Sequence, residues 1–328
     1  MALHHYLVFG LRVVSSRPIS SLLVPDAPFA GEADVEIVEG EVQLPDSAQV
    51  VDGIAVSVEG ESCCLGIEEC GRFEVHGGRK IVVDPDPAAT PEQVNLYLLG
   101  SVFGALLHQR RLLPFHCNAV EIDGSVFLFC GDSGAGKSTM AAHFVDRGFR
   151  LLTDDLCALD FDSEGRLIAS SGVGRLKLWQ DTLGMLGRST AGLELVPWYD
   201  NKFEVPLAGE ALEEPLAVVG IYHLRTAENG RSPGIHPLKG LEAVNAVTAN
   251  IYRRRLGDVL GATARYLAAT SRIVEQVPIF SLNRQWGFRH FQDHAVAAEQ
   301  HMHELTGIMR RLGHHTPGPN GPRTQVRG

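Results

Sequence analysis

The chain has 328 residues, 45% of them hydrophobic and 21% charged, with a formal net charge of -10. That mix is typical of a globular protein of one large domain or two ordinary ones, with enough chain to bury a sizeable core. The acidic balance argues against general binding to nucleic acid or to an anionic membrane surface and leaves only a local basic groove open.

Residues 1–90 are predicted to be β-rich. Tyr6 to Val14 is a strand candidate, Val35 to Gly40 and Asp52 to Val58 are others, and Phe73 to Asp84 reads as a hairpin turning at Gly77-Gly78. No catalytic constellation stands out here, so an accessory sheet or small domain is expected. Met1 to Ser15 lacks the long apolar core of a signal peptide. The most apolar helix candidate, Val94 to Leu107, is too short to span a bilayer, so a cytoplasmic protein is expected. Prolines 85, 87 and 91 break the chain. Thr90 then reads as an N-cap, with Pro91 at the first helical position and Gln93 completing a capping box.

Leu113 to Ile122 and Ser125 to Cys130 are apolar runs joined by Asp123-Gly124, the strongest short hairpin signal. His116 therefore falls on a strand predicted to pair antiparallel with the next one. From the residue alone it reads as a core histidine.

That next strand runs into Gly131-Asp132-Ser133-Gly134-Ala135-Gly136-Lys137-Ser138-Thr139, followed by a helical run from Met140. Strand, glycine loop and helix in this order make a P-loop. Glycines free the backbone to turn several N–H groups inward as an anion nest, and the helix N-terminus adds positive potential. Lys137 is placed to reach the β- and γ-phosphates, and the Ser138 hydroxyl to ligate Mg²⁺.

After the helix, Phe149 to Thr153 reads as a strand ending in Asp154-Asp155. A carboxylate there can hold Mg²⁺, and a second one can act as base towards a hydroxyl. Arg175 and Lys177 alternate along the following strand candidate. They read equally as phosphate-neutralising cations and as solvated edge charges. Tyr199 to Lys202 is a polar candidate for a cleft wall. Gly220 to Leu224 is a further strand. From Leu241 the pattern turns helical, and Arg253-Arg254-Arg255 in that run is a substrate contact or a solvated helix end. Val277 to Leu282 is the last strand, a helix covers 293–312, and a Gly-, Pro- and Arg-rich tail, His314 to Gly328, is expected to be disordered.

Six cysteines, at positions 63, 64, 70, 117, 130 and 157, lack paired zinc spacing and read as free thiols of a reducing interior. His301, His303, His314 and His315 lie on a helix end and the tail and do not make a metal site.

The run from His116 through Gly131–Ser138 and Arg147-Gly148 to Leu152-Thr153-Asp154-Asp155 resembles the kinase domain of the HPr kinase/phosphorylase family. The likeness is specific over about residues 113–180 and vaguer elsewhere. It is strongest to the stand-alone bacterial members, some of which sit with lasso-peptide biosynthesis and phosphorylate a serine of the precursor peptide.

The resemblance implies an α/β P-loop kinase with a mixed sheet and a β-rich N-terminal part. It divides the chain as 1–90, a kinase domain 91–312 and a tail 313–328. It implies ATP and Mg²⁺ as cofactors, a peptide or HPr-like protein as acceptor, and homo-oligomeric assembly. His116, Lys137 and Asp155 match family active-site positions, Ser138 the Mg²⁺-binding serine and Asp154 the acidic neighbour. The family's later arginine falls among Arg253, Arg255 and Arg272. One departure concerns the stretch Gly172 to Gln180, which has no carboxylate before Asp181, where the family carries a metal-binding glutamate. That departure favours a one-way kinase. A small-molecule phosphotransferase and a nucleotide-gated regulatory protein remain as alternative expectations.

Overall fold

The computed structural model describes residues 3–22, 24–25, 28–29, 31–207, 214–228 and 231–311. The predicted tail, with His314 and His315, lies outside them.

An eight-stranded mixed sheet is built from β1 (His4–Val8), β2 (Leu11–Ser15), β3 (Val35–Glu39), β4 (Gln49–Val51), β5 (Ile54–Glu59), β6 (Ser62–Ile67), β7 (Gly71–His76) and β8 (Lys80–Pro85), in the order β1-β2-β3-β8-β7-β6-β5-β4. The single strand expected over Tyr6 to Val14 is instead a hairpin. Phe9 and Gly10 take φ of 56° and 71°, the left-handed pair that closes a two-residue turn. Apolar alternation alone does not reveal a turn whose first residue is Phe. The Gly77-Gly78 hairpin forms as expected.

Helix α1 (Pro91–Tyr97) starts on the Thr90–Gln93 capping box, passes through a π turn at Leu98–Val102 and continues as α2 (Phe103–Gln109). Val94, Leu98, Val102 and Leu106 of this rod share one core with Val8, Val13, Ile37, Leu65 and Phe73 of the sheet. The helix pair therefore packs on the N-terminal sheet. Gly100 and Gly104 leave room for the Tyr252 ring, which a Cβ would meet at 3.0–3.1 Å.

A second, nine-stranded sheet carries the P-loop. Its strands are β9 (Leu113–Phe115), β10 (Cys117–Ile122), β11 (Ser125–Cys130), β12 (Arg150–Thr153), β13 (Cys157–Phe161), β14 (Leu167–Ser170), β18 (Leu216–Thr226), β19 (Gly234–Leu238) and β20 (Ile279–Arg284). Between β14 and β18 the chain forms a small sheet from β15 (Arg175–Trp179), β16 (Glu194–Leu195) and β17 (Lys202–Pro206), with α4 (Gln180–Met185). The helices are α3 (Lys137–Asp146), α5 (Gly240–Ala249), α6 (Arg254–Val259), α7 (Thr263–Gln276) and α8 (Phe291–Arg311).

The predicted β10–β11 hairpin forms, with Cys117 opposite Cys130. Beyond it the order β12-β10-β11-β18-β20 matters for the site. β10 is antiparallel to both β11 and β12, while β18 is parallel to β11 and β20 to β18. The C-terminal ends of β12, β11, β18 and β20 therefore share one edge of the sheet, where open α/β sheets build crevices. The Asp pair ends a strand two places from the P-loop strand, not the adjacent one. β11 is buried on both faces. Val126, Leu128 and Cys130 pack towards α5 and α7, and Phe127 and Phe129 towards α3 and α8, the period-two split of a central strand.

The helical run expected through Arg253–Arg255 breaks at Asn250, and α6 begins only after Arg253 at φ 47°. Among the described residues no helix is long and apolar enough to cross a membrane. The six cysteines are free. Burial pushes the Cys63 and Cys130 thiols up to about 12, which leaves them unreactive.

Candidate active site

Between β11 and α3 the glycine loop forms as its sequence requires. Gly131, Gly134 and Gly136 all have left-handed φ, at 133°, 81° and 83°. At Gly131 a Cβ would also stand 2.7 Å from the Leu224 carbonyl, and at Gly136 2.8 Å from the Arg284 guanidinium. Lys137 opens α3, and its ammonium donates to the carbonyls of Gly131 (2.8 Å) and Asp132 (3.2 Å). Burial lowers its pKa against the opposing pull of Asp155 and Asp154.

The loop faces a cavity of about 440 Å³, within the size range of small-molecule sites. Ser133, Gly134, Gly136–Thr139, His116, Asp154, Asp155, Lys177 and Lys202 line it.

The two carboxylates differ sharply. Asp154 is 8% exposed. It accepts from Asn118 Nδ2, from Ser138 Oγ (3.1 Å) and from the Lys177 backbone N–H (2.9 Å). Burial, reinforced by the adjacent Asp155 charge, raises its pKa. Asp155 has its side chain 38% exposed and sits at φ 79°, a conformation uncommon for a residue other than glycine. Its carboxylate is held by Lys177 Nζ at 3.0 Å and His116 Nδ1 at 3.2 Å. Burial pulls its pKa up, but Lys177 and His116 outweigh this and hold it well below the usual carboxylate range. Burial likewise depresses Lys177, yet Asp155 makes the net shift upward. So Asp155 and Lys177 face the cavity as a charged pair.

Ser138 and Asp154 offer hard oxygen donors side by side, the donor type Mg²⁺ takes. Mg²⁺ ordinarily uses one or two protein carboxylates and fills its shell with water and phosphate.

His116, read from sequence as a core histidine unless the family likeness held, does face the cavity, its Nδ1 also 2.9 Å from the Asp155 carbonyl. Lys177 lines the cavity but Arg175 does not. Arg175 Nη1 is bound to both oxygens of Glu204 at 2.6 Å, the two side chains being 8% and 14% exposed. On strand β15 the two cations are two residues apart, but Glu204 on β17 claims the first. Arg253 and Arg255 turn to the N-terminal sheet, donating to Asp52 O (3.2 Å) and Oδ1 (3.3 Å). Arg272 lies over the Phe161 ring, 3.7 Å from its centroid. None of these three lines the cavity.

Other residues enter that no motif marks. Asn250, where the helix breaks, accepts the Gly131 N–H on Oδ1 (2.9 Å) and the His116 N–H on its carbonyl (2.7 Å), tying the P-loop to the histidine. Arg284, the last residue of β20, donates to the Ala135 carbonyl of the loop. Its buried Nε finds no hydrogen-bond partner among the described residues, and burial lowers its pKa. Arg225 lines the same cavity. Lys202 is held over the rings of Trp179 (5.2 Å) and Tyr199 (5.1 Å), and burial and the neighbouring Lys177 lower its pKa. Asp181, in the first turn of α4, also lines the cavity. The stretch without a carboxylate is thus followed at once by one that reaches the site.

No family model matches the chain. Over 56 residues it is 41% identical to an HPr kinase/phosphorylase of Prosthecochloris aestuarii. Over 57 residues it is 46% identical to proteins of the same name from two strains of Clostridium botulinum. Each match covers 17% of this chain and spans only 16% to 18% of the relative's length. A solved HPr(Ser) kinase/phosphatase from Coxiella burnetii aligns with 62% of this chain and 98% of its own, at 16% identity and a TM-score of 0.31. So slight a superposition carries no argument. The chain is HPr-kinase-like by this local likeness, and by its own structure it is a mixed α/β protein with a P-loop.

Proposed function

We propose that the protein transfers the γ-phosphoryl group of a nucleoside triphosphate, ATP in the first instance, to a serine hydroxyl of a peptide or small protein. The observation that carries this reading is the division of labour between the two carboxylates at the mouth of the P-loop. Asp154 is tied to Ser138 below, and Asp155 is presented to the cavity between a lysine and a histidine. A nucleotide-binding module needs the first arrangement and has no use for the second.

In this reading the loop N–H groups and Lys137 hold the β- and γ-phosphates, and Arg284 and Arg225 add positive charge from the far side. Ser138 and Asp154 would hold Mg²⁺, which would supply positive charge to offset that of the phosphates. Asp155 accepts a hydrogen bond from the acceptor hydroxyl and aligns it. As the new P–O bond forms and the bond to the β-phosphate oxygen breaks, the hydroxyl proton passes to Asp155. The transition state of such a transfer is loose, so positioning dominates. Lys177 and His116 fix the carboxylate.

The local likeness to HPr kinases supports an HPr-like protein acceptor; a lasso-peptide precursor, which the sequence resemblance to the stand-alone members implies, is the second candidate, in a cytoplasmic setting. Labelled ATP offered with an HPr-type protein and with serine-containing precursor peptides tests this. Transfer of label to serine is expected. ATP that binds but is never consumed with any acceptor would make the protein a nucleotide-gated module instead.

A further inference from the structure

The order of parallel strands sets out what lies on each side of the phosphates. Asp154 and Asp155 follow β12, two strands to one side of the P-loop strand β11. The segment that follows β20 lies two strands to the other side. At about 4.8 Å per strand, the ends of β12 and β20 each stand about 10 Å from the end of β11, and their side chains reach back to the loop, Asp154 to Ser138 and Arg284 to Ala135. The first side is where a hydroxyl acceptor meets Asp155. The second carries Arg225 and Arg284 at the strand ends and then turns aromatic. Trp286 is 69% exposed and Phe288 44% exposed, yet both line the cavity that contains the P-loop.

This segment is stapled at both ends. Arg284 donates to the Ala135 carbonyl, and the Phe291 ring packs edge-on against His143 of α3, centroids 5.7 Å apart. Gly287 between the two aromatics has φ 100°, which lets the chain turn there. Flat apolar faces left open at the wall of the cavity that contains the phosphate cradle, on the side of the sheet away from Asp155, match the chemistry of a nucleobase.

We infer that Trp286, with Phe288 beside it, is the stacking platform for the base of the donor nucleotide. The inference rests on the nucleotide reading above and adds the subsite that reading leaves open. Stacking engages the π-face that every base has, so the platform serves adenine and guanine alike.

The test compares binding of ATP, GTP and inorganic tripolyphosphate by calorimetry, since tripolyphosphate fills the phosphate cradle and has no base. Trp286→Ala is expected to weaken ATP and GTP by about 5- to 100-fold and leave tripolyphosphate unchanged, while Trp286→Phe keeps most of the nucleotide affinity. Equal weakening of tripolyphosphate would overturn the inference, because Trp286 would then be shaping the phosphate loop. Unchanged ATP affinity with a raised KM for the acceptor would overturn it in favour of an acceptor surface. Wild type that binds tripolyphosphate as tightly as ATP would show that no base contact is made. Wild type that binds neither would remove the nucleotide reading itself.

Discussion

Replacing Asp155 by asparagine keeps the shape of the side chain and removes its charge. In the wild type Lys177 Nζ stands 3.0 Å from one carboxylate oxygen and His116 Nδ1 3.2 Å from the other. At an effective dielectric near 20, a charge pair at 3.0 Å attracts by about 5–6 kcal/mol gross. Asp155 is open to solvent, so most of that is screened, and the net loss to the fold is about 1–3 kcal/mol, a few degrees in Tm. The residual cost comes mainly from Lys177, whose side chain is only 15% exposed and loses its counter-charge. The chemical loss is larger. A positioned proton acceptor contributes about 10²- to 10⁴-fold, or about 3–5 kcal/mol of barrier. Asp155→Asn should therefore lower kcat by at least about 100-fold while ATP affinity changes by less than about threefold. Calorimetric ATP binding and label transfer to the acceptor, both measured well below the variant's Tm, separate the two. A folded variant that keeps kcat within about tenfold of wild type would refute the role given to Asp155.

Gly136→Ala puts a Cβ at φ 83° and 2.8 Å from the Arg284 guanidinium, so nucleotide affinity should fall more than about tenfold for about 1–2 kcal/mol of stability. Paired calorimetry and thermal melts check this. Arg175→Met strips Glu204 of its buried partner and should cost about 3–5 kcal/mol, with kcat per folded molecule unchanged. Loss of phosphate affinity without loss of Tm would return Arg175 to the site. His108 is 2% exposed, accepts from the Tyr266 hydroxyl (2.7 Å) and donates to the Tyr252 carbonyl (3.1 Å). Burial lowers its pKa from 6.5 to about 4. The unfolded chain takes up a proton in that window which the folded chain refuses. Stability is therefore full above about pH 6.5 and falls, from this group, by on the order of 3 kcal/mol as pH drops to about 4. Denaturant melts across this range should show the slope, and His108→Gln should flatten it.

Local chemistry carried much of the outcome. The capping box at Thr90, the Asp123-Gly124 hairpin, the glycine loop and the strand ending in two carboxylates each depend on neighbours within a few residues, and each formed where its residues predicted. For the same reason the phosphate cradle was legible, since a P-loop is a contiguous stretch whose backbone makes the site. The acidic pair was visible as a pair, but its division into a buried and an open member was not, because Lys177 reaches it from β15 and His116 from the break between β9 and β10.

Cations were the poorest guide. An arginine looks the same in sequence whether a carboxylate 29 residues on neutralises it, as Glu204 does Arg175, or it rests against the phosphate loop at the cavity wall, as Arg284 does. Burial and partner decide, and both are long-range. Asn250 carries no motif, yet it joins the P-loop to His116 because a helix ends just where two strands pass. The amino-acid sequence by itself determined that a phosphate cradle exists and that a strand ends in a pair of carboxylates, since those features are written in short-range backbone geometry. The parallel run of β12, β11, β18 and β20 decided what faces that cradle, the acceptor side with Asp155 and the aromatic side with Trp286, since strand order arises only when distant segments pair.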